Sequence, residues 1–500
     1  MTKSDADTGL SQPMNPLQRV GRNNDWLADA AEPRSGALPT REVVAEAVEH
    51  LPHAAAEITA RIERLPFSTW HIRLVSVIGT AHLLDAFDSL AIALVMPVLL
   101  EIWHLTPSHT GLVISTGYVG QLLGAVGLSW LAERFGRLHM LRLALSIMAV
   151  LSIATAFAGD DMTFMVLRFI QGLGLGGEVP VAATLVNEMT PARFRGRATS
   201  SLQSMFAAGV MAASLAAVWL IPHFGWQSMF IVGALPALLM CVIGWVVPES
   251  PRWLAVHGRV DEASAAVDRI EVTISKGGKR ALPPVGPAVP HPVRRRAHFA
   301  DLFRDGYAVR TICIWTLMFC ISASGNALIT WLPTIYATDY HVTLANTFLL
   351  STMLGVAALV GAVTSVLVID RIGRRCTFMT ALFGSAVPLA ILGWVGAMPM
   401  IDVVSLLTVS NYLLAIGLGS VHGYATEIYP TRMRALGAGT AVAWLRIAQI
   451  VSPLLIGALV LHIGVTAVFL FLAAMGAVGG LTVAITAVET KGRKLEEISI

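Results

Sequence analysis

Five charged residues interrupt stretches that are otherwise apolar, and any chemistry this chain performs must start with them. Asp85 and Asp88 stand near the middle of the apolar run 74–100. Spaced i and i+3, they share one face if the run is helical. Arg168 and Glu178 fall in a second run, 163–187, and Arg446 falls in the middle of a third, 436–461. Ionisable side chains at such depth are costly and face a cavity or a partner rather than lipid. Burial favours the neutral acid, and a nearby guanidinium favours the carboxylate. An acid–Arg pair that forms in one conformation and breaks in another would therefore take up and release a proton; a pair that never breaks would only orient two helices. A guanidinium with no acid in its own run wants an anion. That anion is either a substrate carboxylate, held by both arms of the planar fork, or an acid from another helix.

The elements that position these residues are read from composition. Of 500 residues, 55% are hydrophobic and 13% charged, where soluble domains carry about 25% charged residues. With a mean hydropathy of +0.68, the chain is expected to be an all-α membrane protein. Twelve apolar spans follow one another: 74–100, 109–131, 141–158, 163–187, 201–221 and 227–247, then 308–335, 344–369, 376–398, 402–426, 436–461 and 464–488. Each is long enough to cross a bilayer. Lys and Arg crowd every second loop, while 101–108, 159–162, 222–226, 336–343, 399–401 and 462–463 contain neither. The positive-inside rule then places both termini and the polar stretch after span six in the cytoplasm.

The expected organisation is a tail over 1–66, a first half over 67–247, a linker over 248–307, a second half over 308–488 and a short tail over 489–500. Residues 1–40 are polar and expected to be disordered. Residues 41–65 suit a helix lying at the membrane interface, with a break at Pro52. The two halves repeat one another. Glu133-Arg134-Phe135-Gly136-Arg137 follows span two and Asp370-Arg371-Ile372-Gly373-Arg374 follows span eight. Glu188 and Arg195 correspond to Glu427 and Arg434, and Glu249 to Glu489. The offsets are 237, 239 and 240 residues, so two six-span halves in parallel repeat are expected.

The paired acid-Arg-x-Gly-Arg loops resemble the signature of the major facilitator superfamily. Pro248-Glu249-Ser250 and the tail beginning Glu489-Thr490-Lys491-Gly492-Arg493 resemble its sugar-porter branch. Asp85-Ala86-Phe87-Asp88, Gly174-Leu175-Gly176-Gly177-Glu178-Val179-Pro180, Trp331-Leu332-Pro333 and Glu427-Ile428-Tyr429-Pro430 are similar to bacterial niacin-type and related metabolite:proton symporters, a group also akin to synaptic-vesicle glycoproteins. Ser129, Glu133, Leu138 and Val366 depart from the loop pattern, and Arg446 lacks the flanking glycines of its relatives.

The resemblance implies a major facilitator fold, and it pairs Asp88 with Arg168 for proton coupling, with Asp85 beside them. Glu178, in a helix loosened by Gly176, Gly177 and Pro180, is a second protonation site or a structural acceptor. Arg446 is the expected substrate anchor, with Gln449 on the same face and Asn326 and Trp331 from the matched part of span seven. Gln121, Gln203, His422 and Tyr424 are further candidates to line a central cavity. Glu133, Arg134, Arg137, Glu188 and Arg195 in one half, and Asp370, Arg371, Arg374, Glu427 and Arg434 in the other, are expected to latch the cytoplasmic side shut.

Other classes are excluded or set aside. The Gly172-x-Gly174-x-Gly176 run lies inside an apolar helix after no strand, which excludes a dinucleotide site. Arg294-Arg295-Arg296 reads as charge facing anionic lipid rather than nucleic acid. No nucleophile–base pair, metal cluster or cofactor motif is apparent, so an enzyme is not expected. The four cysteines form no CxxC pair. The expectation is a monomeric inner-membrane transporter that takes up a small organic anion with protons by alternating access. The alternatives are a sugar or polyol symporter, an efflux carrier and a non-transporting receptor.

Overall fold

A computed structural model describes residues 53–279, 281–287, 298–304, 306–396, 398–430 and 433–491. The disordered tail expected over 1–40, the Pro52 break, Arg294–Arg296, Arg493 and the side chain of Asp370 lie outside the described residues. The first half is built from Thr69–Trp103, Pro107–Phe135, Arg137–Ala156, Asp161–Met189 and Ala192–Phe224. Its sixth crossing is made by two shorter helices, Gln227–Gly233 and Pro236–Val246, separated where Pro236 starts a new helix. The second half contains Tyr307–Thr338, Leu344–Ile372, Arg374–Val395, Met400–Glu427, Arg434–His462 and Val465–Thr486. These are spans one to twelve below. Among the described residues, eleven helices are long and apolar enough to cross a membrane by themselves. Most of them overrun the apolar limits read from sequence at one or both ends, because a helix continues past the hydrocarbon until a cap ends it. Span two starts at Pro107, where the Thr106 side chain accepts from the His109 N–H at 3.3 Å, and span four starts after Asp160, which accepts from the Thr163 N–H at 2.8 Å.

The repeated loops fold alike, and the reason is the backbone. Gly136 and Gly373 take φ of 104° and 98°, values that side chains with a Cβ rarely tolerate. Each turn points the start of the next span at a carboxylate from the end of its own half. Glu249 accepts from the N–H of Arg137 at 2.9 Å and of Leu138 at 3.0 Å; Glu489 accepts from Arg374 and Arg375, both at 3.0 Å. Glu249 and Glu489 therefore recur because both helix starts need an anionic cap. Burial favours neutral Glu489, but the backbone N–H groups of Lys491, Arg374 and Arg375 outweigh it and hold the pKa below the ordinary 4.5. A pKa lower in the folded state than in the unfolded one stabilises above the unfolded value and ceases to do so as pH falls through the folded one. Glu489→Gln is therefore expected to cost about 1 kcal/mol at neutral pH. The deficit should shrink as pH falls through the carboxylate range, in thermal melts of both proteins.

Spans two and four meet backbone to backbone. A Cβ on Gly124 would strike Leu173, and one on Gly176 would strike the main chain of Gln121. This glycine seam brings the polar face of span two to within reach of Arg168 and Glu178. Between the halves, span one packs on span seven, two on eleven and five on eight. The residue contacts there lie at mid-membrane or toward the face opposite the Arg-rich loops, where Gly111 abuts Pro453 and Gly457 abuts Pro107. That face is closed.

The helix over 53–63, expected at the membrane interface, carries its apolar residues against protein. Its apolar residues Ile58 and Ile62 are buried against Trp253, Leu254 and Val267 of the linker. The linker contributes Pro251–Val256 and Val260–Ile274. The docking follows from charge and apolar spacing together. Arg61 pairs with Asp268 and, at 2.8 Å, with Glu271; Arg64 reaches Glu271 at 2.7 Å. Burial works against charged Glu271, yet Arg61 and Arg64 hold its pKa below the ordinary value.

Candidate functional site

Asp88 and Arg168 meet across spans one and four, with Arg168 Nη1 3.0 Å from Asp88 Oδ1 and exposures of 0% and 2%. Gln171, one turn from Arg168 on span four, donates to the other oxygen of Asp88 and accepts from Arg168 at 2.8 Å. The Arg168 guanidinium also lies 5.5 Å from the centre of the Phe230 ring. Both oxygens of Asp88 are thus engaged and the pair is buried, although the Arg168 Nε is left without a hydrogen-bond partner. Gln171 was missed in the sequence, although its i+3 spacing from Arg168 was the available signal.

Asp85 does not join that pair. It belongs to a second buried group with Glu178 and His82, a residue the sequence reading passed over. His82 Nδ1 lies 3.0 Å from Glu178 Oε2. One side-chain nitrogen or oxygen from each of the three residues lies within 4.8 Å of the others. Asp85 Oδ1 and Glu178 Oε1 are buried without a hydrogen-bond partner. His82 stands one turn before Asp85, and that spacing was its signal.

Arg446 approaches from the second half. Its Nη1 donates to the amide oxygens of Gln121 at 2.6 Å and Gln449 at 2.9 Å. Among the described residues it forms no ion pair, although Asp85 acts on it through space. Two neutral acceptors thus stand where a guanidinium would favour an anion. Among the described residues, the Gln121–Arg446 bond is one of three that span two makes to the second half. Ser115 donates to the Ile450 carbonyl at 2.8 Å, and Tyr118 donates to Asn326 Oδ1 at 3.1 Å. Tyr118 was also missed; its partner lies in another half, at no sequence spacing that could have disclosed it.

Asn326 Nδ2 and Trp331 Nε1 are buried donors without acceptors. Trp331 itself packs within the core at 2% exposure. His422 is half-buried and within electrostatic reach of Arg446 and His82. Gln203 is half-buried on span five. The Tyr424 hydroxyl donates to the Val488 carbonyl at 2.9 Å and ties the ends of spans ten and twelve together.

The family described as sugar (and other) transporter matches residues 76–500. The chain belongs to that family. It is 34% identical over 452 residues to the niacin transporter NiaP of Acinetobacter baylyi, covering 89% of this chain and all of that one. It is 32% identical over 283 residues to the 4-hydroxybenzoate transporter PcaK of Pseudomonas putida, covering 56% and 62%. Among solved structures, a partially occluded inward open form of the xylose transporter XylE from E. coli superposes with a TM-score of 0.70 at 20% identity, over 85% of this chain and all of that one. The protein is a multi-pass membrane transporter with the major facilitator fold, not an enzyme.

In this transporter the Arg-rich loops brace each half rather than bridge the two. Arg137 binds Glu133 and Glu188, both at 3.0 Å, and Arg374 binds Glu427 at 3.0 Å. Arg195 turns from Glu188 to Glu63, at 2.5 Å, and Arg252 reaches the same carboxylate at 2.8 Å. Burial opposes the charge on Glu63, but the Ala192 N–H and these two guanidiniums hold its pKa below the ordinary value. Arg134 lies beside the Phe135 ring, the carbonyl of Arg371 accepts from Lys491, and Arg434 Nε is buried without a partner. Among the described residues no ion pair crosses between the halves. The expected latch is therefore not engaged here, because the halves touch at mid-membrane and toward the opposite face.

Proposed function

We propose that this transporter carries a small aromatic or heteroaromatic carboxylate into the cell together with protons, by alternating access. One observation carries the reading: the deep guanidinium of Arg446, satisfied only by amide oxygens. A substrate carboxylate would displace the Gln121 oxygen and accept from both arms of the fork. Asn326 and Trp331, with unpartnered N–H groups on span seven, supply donors for ring substituents or a ring nitrogen. The names of the relatives, which specify niacin and 4-hydroxybenzoate, fit that chemistry.

The Asp88–Arg168 unit is the coupling element in this reading. Protonation of Asp88 would release Arg168 and loosen spans one and four; deprotonation would restore the pair. The Arg-rich face is cytoplasmic by its charge, so the state described is closed to the outside. The two braced corners meet when the cytoplasmic side shuts.

The test is uptake into proteoliposomes of labelled nicotinate and 4-hydroxybenzoate, with nicotinamide and xylose as uncharged comparisons. Accumulation of an acid under an inward proton gradient, absent without it, is the expected result. Accumulation of xylose with neither acid moved would overturn the reading in favour of a sugar symporter.

A further inference from the structure

We propose that His82, Asp85 and Glu178 form a second cation site, separate from the Asp88–Arg168 pair, that takes one proton per transport cycle. The proposal rests on the uptake reading above and adds its stoichiometry: two protons accompany each monovalent anion, so the cycle moves one net positive charge inward.

The argument is one of charge and hydrogen bonding. Asp88 has both oxygens engaged and a guanidinium at 3.0 Å. The second group has two carboxylates and one imidazole, no guanidinium within ion-pair distance, and two buried oxygens with no partner. Exposures are 3% for His82, 3% for Asp85 and 0% for Glu178. Two bare carboxylates so close together and so deep are expensive unless a cation enters. A proton resolves the deficit by forming an O–H bond at Glu178 or an N–H bond at His82, and either serves the 3.0 Å contact between them. A proton suits the imidazole better than sodium does, since sodium, a hard cation, prefers an all-oxygen shell.

The surroundings connect this site to the substrate. Charged and titratable groups act on it through space from four spans: Asp88 on span one itself, Tyr118 on span two, His422 on span ten and Arg446 on span eleven. Span five contributes the Phe206 ring, 5.5 Å from the His82 ring. The groups that hold the cation and the guanidinium that holds the anion thus act on one another through space. When a substrate carboxylate settles on Arg446, the local charge falls by one, and a cation at the triad offsets it.

The site differs from the first in how the empty carrier returns. Asp88 must re-form its pair with Arg168 before the cavity can reorient without substrate. Glu178 has only His82, which returns to the neutral state by releasing its proton. Removing the Glu178 charge is therefore expected to change the proton count without stopping net uptake.

The experiment uses the full chain in proteoliposomes, with labelled nicotinate or 4-hydroxybenzoate as the probe, whichever the wild type accumulates. With pH equal on both sides, potassium and valinomycin set an inside-negative potential. One net charge per cycle predicts that a tenfold potassium gradient gives about tenfold accumulation. Glu178→Gln should lose this response while a pH gradient still drives uptake. Wild-type accumulation that ignores the potential, or that follows a sodium gradient at matched pH, overturns the proposal. If neither acid is accumulated, the uptake reading itself has failed, and the triad is then tested without substrate. Infrared difference titration should show a buried carboxylic-acid band in the wild type that Glu178→Gln and His82→Gln alter and Gln203→Ala leaves in place. A titration unaltered by both triad variants would overturn the site.

Discussion

Asp88→Asn is expected to exchange substrate across the membrane but not to concentrate it. Asparagine keeps the shape of the acid and can still bond Gln171, but it carries no charge for Arg168. It thus imitates protonated Asp88 permanently. With substrate bound, the carrier can still turn over, since that step runs with the acid protonated. Without substrate, the return step needs the carboxylate–guanidinium pair, and the variant cannot form it. Counterflow into preloaded vesicles should persist, while accumulation under a proton gradient should fall to equality across the membrane. Leaving one member of a buried pair alone costs about 3–5 kcal/mol, so thermal stability should be measured alongside. The double variant Asp88→Asn with Arg168→Gln, which removes both charges, should recover part of that stability. Full concentrative uptake by Asp88→Asn would remove Asp88 from the proton path.

Arg446 decides the substrate class. Charge-assisted hydrogen bonds contribute about 1.5–3 kcal/mol each, so losing the bidentate fork should weaken an acid substrate on the order of 10- to 100-fold. Arg446→Lys keeps the charge but not the geometry and should bind nicotinate less tightly. Arg446→Gln should lose more. Nicotinamide, which has no carboxylate, should bind the wild type poorly and lose little further in Arg446→Gln. The four affinities form a double-mutant cycle whose coupling energy isolates the carboxylate–guanidinium contact. A coupling near zero, with nicotinate still bound well by Arg446→Gln, would show that Arg446 serves the protein's own packing, and the organic-anion reading would lose its main physical support.

The spans and the repeat were legible because bilayer solvation writes itself into hydropathy and loop charge, residue by residue. The Asp88–Arg168 contact was legible through resemblance, and the structure brings the two together. What stayed hidden depends on partners from distant spans. His82, Gln171 and Tyr118 look like ordinary polar residues until packing sets each beside its acceptor. The repeat of Glu249 and Glu489 was visible, but their work as caps appears only once Gly136 and Gly373 turn the chain back on them. Tyr424 shows a different case: its type suited a cavity, but its hydroxyl bonds the end of span twelve. The amphipathic pattern over 53–63 suits an interfacial helix, but it does not say that Ile58 and Ile62 would meet the linker.

Ser115, Tyr118 and Gln121 stand three residues apart, so the bonds that join the halves form one stripe down span two. At 1.5 Å per residue the stripe is about 9 Å long, with Ser115 nearest the closed face and Gln121 deepest. A tilt of one half against the other moves points in proportion to their distance from the pivot. The Ser115 bond therefore yields first and the Gln121 bond last; the two neutral bonds cost about 1 kcal/mol each to break and the charge-assisted bond to Arg446 about 1.5–3 kcal/mol. Opening becomes a staircase of small steps instead of a single cliff. Its bottom stair is the contact on Arg446, so the guanidinium is uncovered only after the passage above it has already parted.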